Sequence, residues 1–280
     1  MRVLSIQPEI VVGQVTANYQ RAFSLLEQGA SLYHPDVILL PEGFAVYNNT
    51  PDPTWPEQVA EPVPGPTGEA FCACSRRYGA MILFGLVRRN PAGAGLYNSI
   101  LVIDDGKIVG IYDKTHLCMD HRPETCAYKN EQALFLPGDH LGLFDTRFGR
   151  IGVQICHDGE YPEMWRVLAL EGAQAIFWPM NCGDMSVWAK LHARWNAVPV
   201  FTSNVVTRNA QGQRRGGGSI CVDVHGEPFD AAGTAESFVF ADVDLAGQAA
   251  FRAAGVTPQA NVFRVRRADL YGSLTRRGGA

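Results

Sequence analysis

Residues 150–165 read Arg-Ile-Gly-Val-Gln-Ile-Cys-His-Asp-Gly-Glu-Tyr-Pro-Glu-Met-Trp, a stretch that predicts a strand, a turn and a helix in succession. Ile151, Val153 and Ile155 alternate with other residues, which places them on one face of a short strand that ends at Cys156. The proline after the turn suits the first turn of a helix, and apolar residues then recur at helical spacing. The cysteine is therefore expected at a strand-to-helix corner.

This position makes Cys156 a candidate nucleophile. Unpaired backbone N–H groups and the helix dipole stabilise negative charge, so we expect the corner to favour thiolate over thiol. The backbone N–H of His157 is expected to reach an oxyanion. The alternative is that Cys156 is a small buried hydrophobic residue, as free cysteines usually are. Reactive partners elsewhere in the chain favour the nucleophile.

Length and composition limit the class of protein. A chain of 280 residues with a net charge of −4 forms one large α/β domain or two smaller ones, and its charge gives no reason to expect nucleic-acid or anionic-membrane binding. Polar residues interrupt the apolar N-terminus, and no stretch approaches the roughly 18 apolar residues of a membrane span. We expect the seven cysteines to be reduced thiols in the cytoplasm.

Strand and helix patterns alternate along the chain, which predicts layered α/β structure in a single domain over residues 1–280, with 261–280 as a C-terminal extension. Asp105-Gly106 predicts a hairpin turn. The pattern from Ser186 to Asn196 predicts a helix whose buried stripe contains Trp188, Leu191 and Trp195. Residues 117–132 lack periodicity and are expected to form a loop. Thr67 is expected to cap a further helix.

Three reactive side chains share one kind of position. Glu42, Lys114 and Cys156 each come directly after a predicted buried strand, and strand ends of an α/β sheet converge on one rim. A carboxylate can take the thiol proton, an ammonium can stabilise an oxyanion, and a thiolate can attack a carbonyl or nitrile carbon. Each residue also has a plain reading as a loop carboxylate, a solvated lysine or a core cysteine. Their shared placement favours a catalytic set.

Several motifs around these residues resemble those of the nitrilase superfamily of carbon–nitrogen hydrolases. Three of them contain the candidate catalytic residues, and two more also resemble family motifs. All five occur in the order typical of the family. The five are Leu-Leu-Pro-Glu-Gly at 39–43, Tyr-Asp-Lys-Thr-His-Leu at 112–117, Phe-Leu-Pro-Gly-Asp at 135–139, Ile-Cys-His-Asp-Gly-Glu-Tyr-Pro-Glu at 155–163 and Gly-Ser-Ile-Cys-Val-Asp-Val-His-Gly-Glu at 218–227. One motif alone is weak, whereas five in order are specific.

The resemblance implies an α/β fold, the four-layer α-β-β-α sandwich, which dimerises into a larger layered assembly. It implies Glu42 as general base, Lys114 as oxyanion stabiliser and Cys156 as nucleophile. It also suggests Glu131 as a second carboxylate that positions the lysine and the substrate, with Glu124 as a competitor for that role. We also expect a homodimer or higher oligomer. The helix that carries Trp165 has apolar surface to cover, and the arginine-rich extension at 261–280 could lie across a neighbouring subunit.

The residues after the cysteine indicate the branch of the superfamily. Nitrilases typically have Trp-Glu there, whereas this chain has His157-Asp158, which is more similar to amidases and carbamoyl-amide hydrolases. We therefore expect hydrolysis of a small non-peptide amide or N-carbamoyl compound through a cysteine acyl-enzyme. Two alternatives remain: a nitrilase that converts a nitrile to acid and ammonia, and a catalytically inactive scaffold.

The sequence gives weaker indications of other ligands. His116, Cys118, His121 and Cys126 lie close together, but their spacing matches no common zinc motif, so neither a metal nor a cofactor is expected. Candidates to line the substrate pocket are Tyr47, Trp178 and Asn181.

Overall fold

Two six-stranded β-sheets form the centre of the molecule in the computed structural model, which describes residues 1–45, 54–119, 130–208 and 214–275. The first sheet contains β1 (Arg2–Gln7), β3 (Val37–Leu39), β4 (Met81–Arg89), β5 (Leu96–Asp104), β6 (Lys107–Asp113) and β15 (Ser237–Asp242). The second contains β7 (Gly142–Thr146), β8 (Gly149–Val153), β9 (Ala175–Pro179), β10 (Val200–Ser203), β13 (Ile220–Val222) and β14 (Pro228–Ala231). A small third sheet contains β2 (Glu9–Ile10), β11 (Val206–Arg208) and β12 (Arg214–Gly216).

The two large sheets have related topologies. Their strand orders are β15-β1-β3-β4-β5-β6 and β14-β13-β10-β9-β8-β7. The strands β1, β3 and β4 run parallel in one sheet, as do β8, β9 and β10 in the other, and the outer strands pair antiparallel. Because parallel strands end at the same edge, the segments after β3 and β4 share one edge of the first sheet, and those after β8 and β9 share one edge of the second.

Seven helices accompany these strands in the described residues. They are α1 (Val15–Tyr33), α2 (Trp55–Val59), α3 (Pro66–Tyr78), α4 (Glu131–Leu134), α5 (Pro162–Leu170), α6 (Ser186–Asn196) and α7 (Leu245–Ala254). Short 3₁₀ helices cover Cys156–Glu160, Ala268–Leu270 and Gly272–Thr275. None of the helices in this part of the chain is long and apolar enough to cross a membrane.

Three apolar clusters separate four layers. The first cluster joins Leu26 of α1 and Phe71 of α3 to the outer face of the first sheet. The second fills the space between the sheets, where Leu39 and Phe177 are among its members. The third joins Trp165 of α5 and small residues of α6 to the outer face of the second sheet. The predicted α-β-β-α sandwich is confirmed.

Most predicted elements are present, with local corrections. The hairpin at Asp105-Gly106 joins β5 to β6, and both residues have the positive φ that such a turn requires. Thr67 does not cap α3, because Gly65 precedes the helix and the Thr67 N–H and hydroxyl both donate to Glu61. The predicted loop at 117–132 ends in the short helix α4, and residues 120–129 lie outside the described part.

The predicted buried stripe of α6 is wrong by one position. Trp188 and Trp195 are 42% and 49% exposed, and the buried side chains are Ala189, His192, Ala193 and Asn196. The reason is that the surface beneath α6 is already filled by Trp165, whose ring stacks on His192 with 4.5 Å between centroids. The face of α6 against that layer therefore carries smaller side chains, and the two tryptophans face outward.

Candidate active site

Two carboxylates and one lysine meet in the interior at the ends of their elements. Glu42 follows β3, Lys114 follows β6, and Glu131 begins α4, and all three are at most 2% exposed. The Lys114 Nζ donates to Glu42 Oε1 at 2.8 Å and to Glu131 Oε1 at 2.9 Å. The structure therefore brings together the predicted base, the predicted oxyanion stabiliser and the predicted second carboxylate.

A fourth side chain closes this cluster into a ring. Asn98, on β5, is buried, and its Nδ2 donates to Glu42 Oε1 at 2.7 Å and to Glu131 Oε1 at 2.9 Å. Each Oε1 therefore receives one bond from Lys114 and one from Asn98. Sequence reasoning missed Asn98, because it lies inside a strand and matches none of the quoted motifs.

The charges in this cluster depend on one another. Burial opposes the ammonium charge of Lys114, but attraction to Glu131 and Glu42 outweighs it and holds the lysine pKa well above its usual value. Burial also raises the pKa of Glu131, and Lys114 only partly offsets this effect. The lysine is thus a fixed cation that two carboxylates share.

Glu131 receives more hydrogen-bond donors than Glu42 does. In addition to Asn98 and Lys114 on Oε1, its Oε2 lies 2.8 Å from Lys114 Nζ and accepts the Cys118 backbone N–H at 2.7 Å. Both oxygens are thus occupied, which suits a positioning group better than a base. The competing residue, Glu124, lies outside the described residues, as does Tyr47.

Close backbone packing holds Glu42 in place. A Cβ added at Gly85 of β4 would lie 2.9 Å from the Glu42 Cα and 2.5 Å from the next backbone nitrogen. Only glycine therefore allows β4 to approach the turn that carries Glu42 so closely. This contact fixes the height of the carboxylate above the sheet.

Cys156 lies at a sharp corner, as predicted, although the regular strand β8 already ends at Val153. Its φ of 42° is in the left-handed region, which is strained for a residue with a side chain. The Trp178 Nε1 donates to the Cys156 carbonyl at 2.9 Å, and a Cβ on Gly159 would overlap the Trp178 ring at 2.1 Å. The corner is therefore held from beneath by this indole.

The expectation that the corner favours thiolate is wrong for the free protein. A hydrogen bond with Cys182 and burial together raise the Cys156 pKa well above its usual value, and the field of Glu42 adds to them. Only Lys114 acts in the opposite direction. A turn of 3₁₀ helix follows the cysteine, and α5 begins six residues later at Pro162, so the helix dipole is not at the sulfur. The thiol needs a base.

Hydrogen bonds of Asp158 connect the corner at Cys156 to the segment that carries Lys114. Its carboxylate is fully buried and accepts from the Tyr112 hydroxyl at 2.8 Å, the Ile155 N–H at 2.9 Å and the Thr115 hydroxyl at 3.0 Å. It also accepts the His116 backbone N–H at 2.8 Å and lies 2.9 Å from His116 Nδ1. The sequence identified this residue only as a marker of the branch.

The remaining predicted residues differ in how accessible they are to a ligand. The His157 N–H has no backbone or side-chain acceptor among the described residues, so it is available to a ligand oxygen. Trp178 was predicted to line the substrate pocket. It is fully buried and lies beneath Cys156. Asn181 is half-buried, and its Nδ2 has no partner in the described part of the chain. No group of three or more potential metal ligands is present among the described residues, which exclude His121 and Cys126.

Comparisons with known proteins identify a family for this chain. Residues 2–253 match the carbon-nitrogen hydrolase family. Two relatives are the omega-amidase NIT2 of Homo sapiens, 29% identical, and that of Bos taurus, 30% identical, each over 91% of both chains. A solved carbon-nitrogen hydrolase from Helicobacter pylori G27 superposes with a TM-score of 0.81 at 23% identity, covering 99% of both chains.

The chain belongs to the carbon-nitrogen hydrolase family. The predicted membership of the nitrilase superfamily is confirmed, as is the prediction of an amidase-like carbon–nitrogen hydrolase.

Proposed function

We propose that the protein hydrolyses a small non-peptide amide through a covalent Cys156 thioester. The observation that carries this proposal is the hydrogen bonding of Glu42. Its Oε1 accepts from both Lys114 and Asn98, whereas no described residue donates to its Oε2. Glu42 also acts electrostatically on the Cys156 thiol, whose raised pKa keeps the proton on sulfur until a base removes it. The carboxylate thus has one anchored oxygen and one oxygen available for proton transfer.

The proposed reaction proceeds in two stages. Glu42 takes the Cys156 proton while the sulfur adds to the amide carbonyl carbon, and Lys114 and the His157 N–H stabilise the oxyanion. Glu42 passes the proton to the leaving nitrogen, the C–N bond breaks, and a thioester remains. Glu42 then takes a proton from water, whose oxygen attacks the thioester, and the sulfur leaves as the restored thiol. The products are an acid and ammonia or an amine.

Glu131 has a positioning role in this proposal. Its two oxygens are occupied by donors from Lys114, Asn98 and Cys118, so it holds the lysine rather than transferring a proton. The amidase names of the relatives support an amide over a nitrile, as does His157-Asp158 in place of Trp-Glu. An N-carbamoyl compound remains an alternative, because its carbonyl carbon also bears a nitrogen leaving group.

Rapid quenching tests the chemistry. The protein is mixed with a panel of short aliphatic amides, N-carbamoyl amino acids and matched nitriles, and ammonia release is followed beside peptide mass. We expect an acyl mass on the Cys156 peptide from an amide, with ammonia or amine released before acid. Cys156→Ala should remove both, whereas Cys72→Ala, on α3, should retain both. Turnover of nitriles alone would contradict the amide assignment, and no adduct with any class would favour the scaffold.

We also propose that the protein is a homodimer through the outer face of α5 and α6. Leu170, Val187, Trp188 and Trp195 are each at least 40% exposed on these helices, a grouping that suits an interface. Trp165, which first suggested dimerisation, is fully buried and contributes nothing to this surface. Light scattering at micromolar concentration should give the dimer mass, and Trp188→Asp with Trp195→Asp should give the monomer. A monomeric wild type would contradict the proposal.

The cytoplasm is the compartment that we propose. Free thiols are present at Cys72, Cys74, Cys156, Cys182 and Cys221, which is usual for proteins kept in a reducing environment. Fractionation of the source cells with an antibody to the protein checks this assignment. Recovery in an extracellular or membrane fraction would contradict it.

A further inference from the structure

The side-chain amide of Asn98 supplies uncharged donors to both carboxylates of the site. Asn98 is 1% exposed, and its Nδ2 supplies donors to the two carboxylates of the site at 2.7 and 2.9 Å. Its backbone carbonyl also accepts the Lys114 N–H at 2.9 Å. One residue of β5 therefore contacts Glu42, Glu131 and Lys114 together.

This arrangement orients Glu42 without adding charge. A carboxylate held by one bond can rotate about that bond, whereas two donors on the same oxygen restrict how the group turns. Lys114 and Asn98 both donate to Glu42 Oε1, which leaves Oε2 as the oxygen with no protein donor in the described part of the chain. A positively charged donor at this position would add to the charge of Lys114, whereas the neutral amide of Asn98 supplies hydrogen bonds alone.

We infer that Asn98 is a positioning residue that aims Glu42 Oε2 at the reacting proton and supports the ionised carboxylate pair. The inference rests on the proposed function, since Glu42 is the base in that mechanism. Asn98 acts through Glu42 and Glu131 and does not itself touch the reacting atoms. Its Oδ1 is buried and has no hydrogen-bond partner among the described residues, so the side chain acts here through its Nδ2 donors.

The pH profile distinguishes this role from simple packing. The acidic limb of kcat/KM depends on the protonation of the site carboxylates, among which burial raises the pKa of Glu131. The titratable groups that act on this cluster are Lys114 and Cys156, with His157 and Asp158 within electrostatic reach of the lysine. Donors to a carboxylate favour its ionised form, so removing the Asn98 donor makes Glu131, whose pKa burial already raises, harder to ionise. The acidic midpoint should then move to higher pH.

Three variants and one control test the inference. Asn98→Leu has nearly the same shape but no donor, Asn98→Asp has the same shape and adds a third carboxylate, and Asn98→Ser retains a single donor. Asn196→Leu is the matched control, because Asn196 is likewise buried (2% exposed), donates through Nδ2 and has an unpartnered Oδ1 among the described residues, but lies on α6. All four are compared with the wild type for kcat, KM and the pH profile.

The expected results are specific. Asn98→Leu should lower kcat by about 100-fold, the scale on which misplaced catalytic groups act, with little change in KM. Its acidic midpoint should rise by about one pH unit or more, which corresponds to a lost charged hydrogen bond. Asn98→Asp should shift the midpoint further, and Asn98→Ser should be intermediate. Asn196→Leu should leave the midpoint unchanged.

A second measurement needs no substrate. The alkylation rate of the Cys156 peptide by iodoacetamide, followed by mass against pH, reports how readily the base takes the thiol proton. Its acidic midpoint should move in the same direction in the Asn98 variants, including any that fold too weakly for long assays. If alkylation and turnover midpoints match the wild type in folded Asn98→Leu, the inference is wrong. If the wild type hydrolyses no amide but its alkylation midpoint still depends on Asn98, only the proposed reaction fails.

Discussion

Replacing Asp158 by asparagine should weaken both the fold and the site, because this carboxylate joins the Cys156 corner to the Lys114 segment. Five donors surround it: two reach Oδ2 and three reach Oδ1. Asparagine retains one acceptor oxygen but places an NH₂ group against the donors on the other side. In particular, the Ile155 N–H, now 2.9 Å from Oδ2, would face another donor.

The magnitude follows from the number of bonds and their burial. A hydrogen bond to a charged group contributes about 1.5–3 kcal/mol, and Asp158 is fully buried, so solvent screening does not reduce this value. Losing the two bonds on one oxygen should cost about 3 kcal/mol of unfolding free energy in Asp158→Asn. Asp158→Ala, which loses all five, should cost at least about 4 kcal/mol, a large share of the roughly 5–15 kcal/mol that stabilises a typical domain.

The pH dependence has a definite sign. Burial raises the pKa of Asp158, but the His116 and Ile155 donors outweigh it, so the carboxyl pKa is below its usual value in the folded protein. A lowered pKa contributes stability above the ordinary aspartate pKa of about 3.9, and this contribution is lost as pH falls towards the folded value. The wild type should therefore lose stability below about pH 4 more steeply than Asp158→Asn.

Urea denaturation followed by circular dichroism, at matched protein concentration, measures these differences. Asp145→Asn is the control, because Asp145 pairs with Arg150 at the surface and its side chain is 75% exposed, so this variant should leave the midpoint of urea denaturation nearly unchanged. The reasoning is refuted if Asp158→Asn loses less than about 1 kcal/mol and the alkylation rate of Cys156 is also unchanged.

Three further predictions concern the surroundings of the nucleophile. Glu131→Gln should lower the pKa of Lys114, because attraction to Glu131 is the largest effect that raises this pKa. Its kcat should fall by about 100-fold. An unchanged kcat in steady-state kinetics would contradict the positioning role of Glu131. Cys182→Ala should lower the pKa of Cys156, so the midpoint of iodoacetamide alkylation should move to lower pH, and a move to higher pH would contradict the effect of Cys182. Trp178→Phe should remove the hydrogen bond to the Cys156 carbonyl and lower the unfolding free energy by about 1 kcal/mol, measured by urea titration. An unchanged unfolding free energy would show that the indole does not hold the corner.

Local patterns in the sequence were sufficient for the elements and for the chemical identity of the site. Apolar alternation and turn residues predicted the strand and corner at Cys156, and the hairpin at Asp105-Gly106 lies where its turn signal is. Glu42 and Lys114 were also recognisable, because each follows a strand and parallel strand ends meet at one edge. These features depend on residues close in the chain, so the chain alone displays them.

The contacts that set the protonation and orientation of the site depend on the tertiary structure. Asn98 reaches Glu42 across 56 positions and Asp158 reaches Tyr112 across 46, and only the register of the strands determines that such residues meet. Cys182 raises the Cys156 pKa because β8 and β9 are neighbours, which reversed the expectation drawn from the helix N-terminus. The sequence thus determined which reactive groups are present. The packed fold decided which of them hold protons, because burial and distant donors act through space.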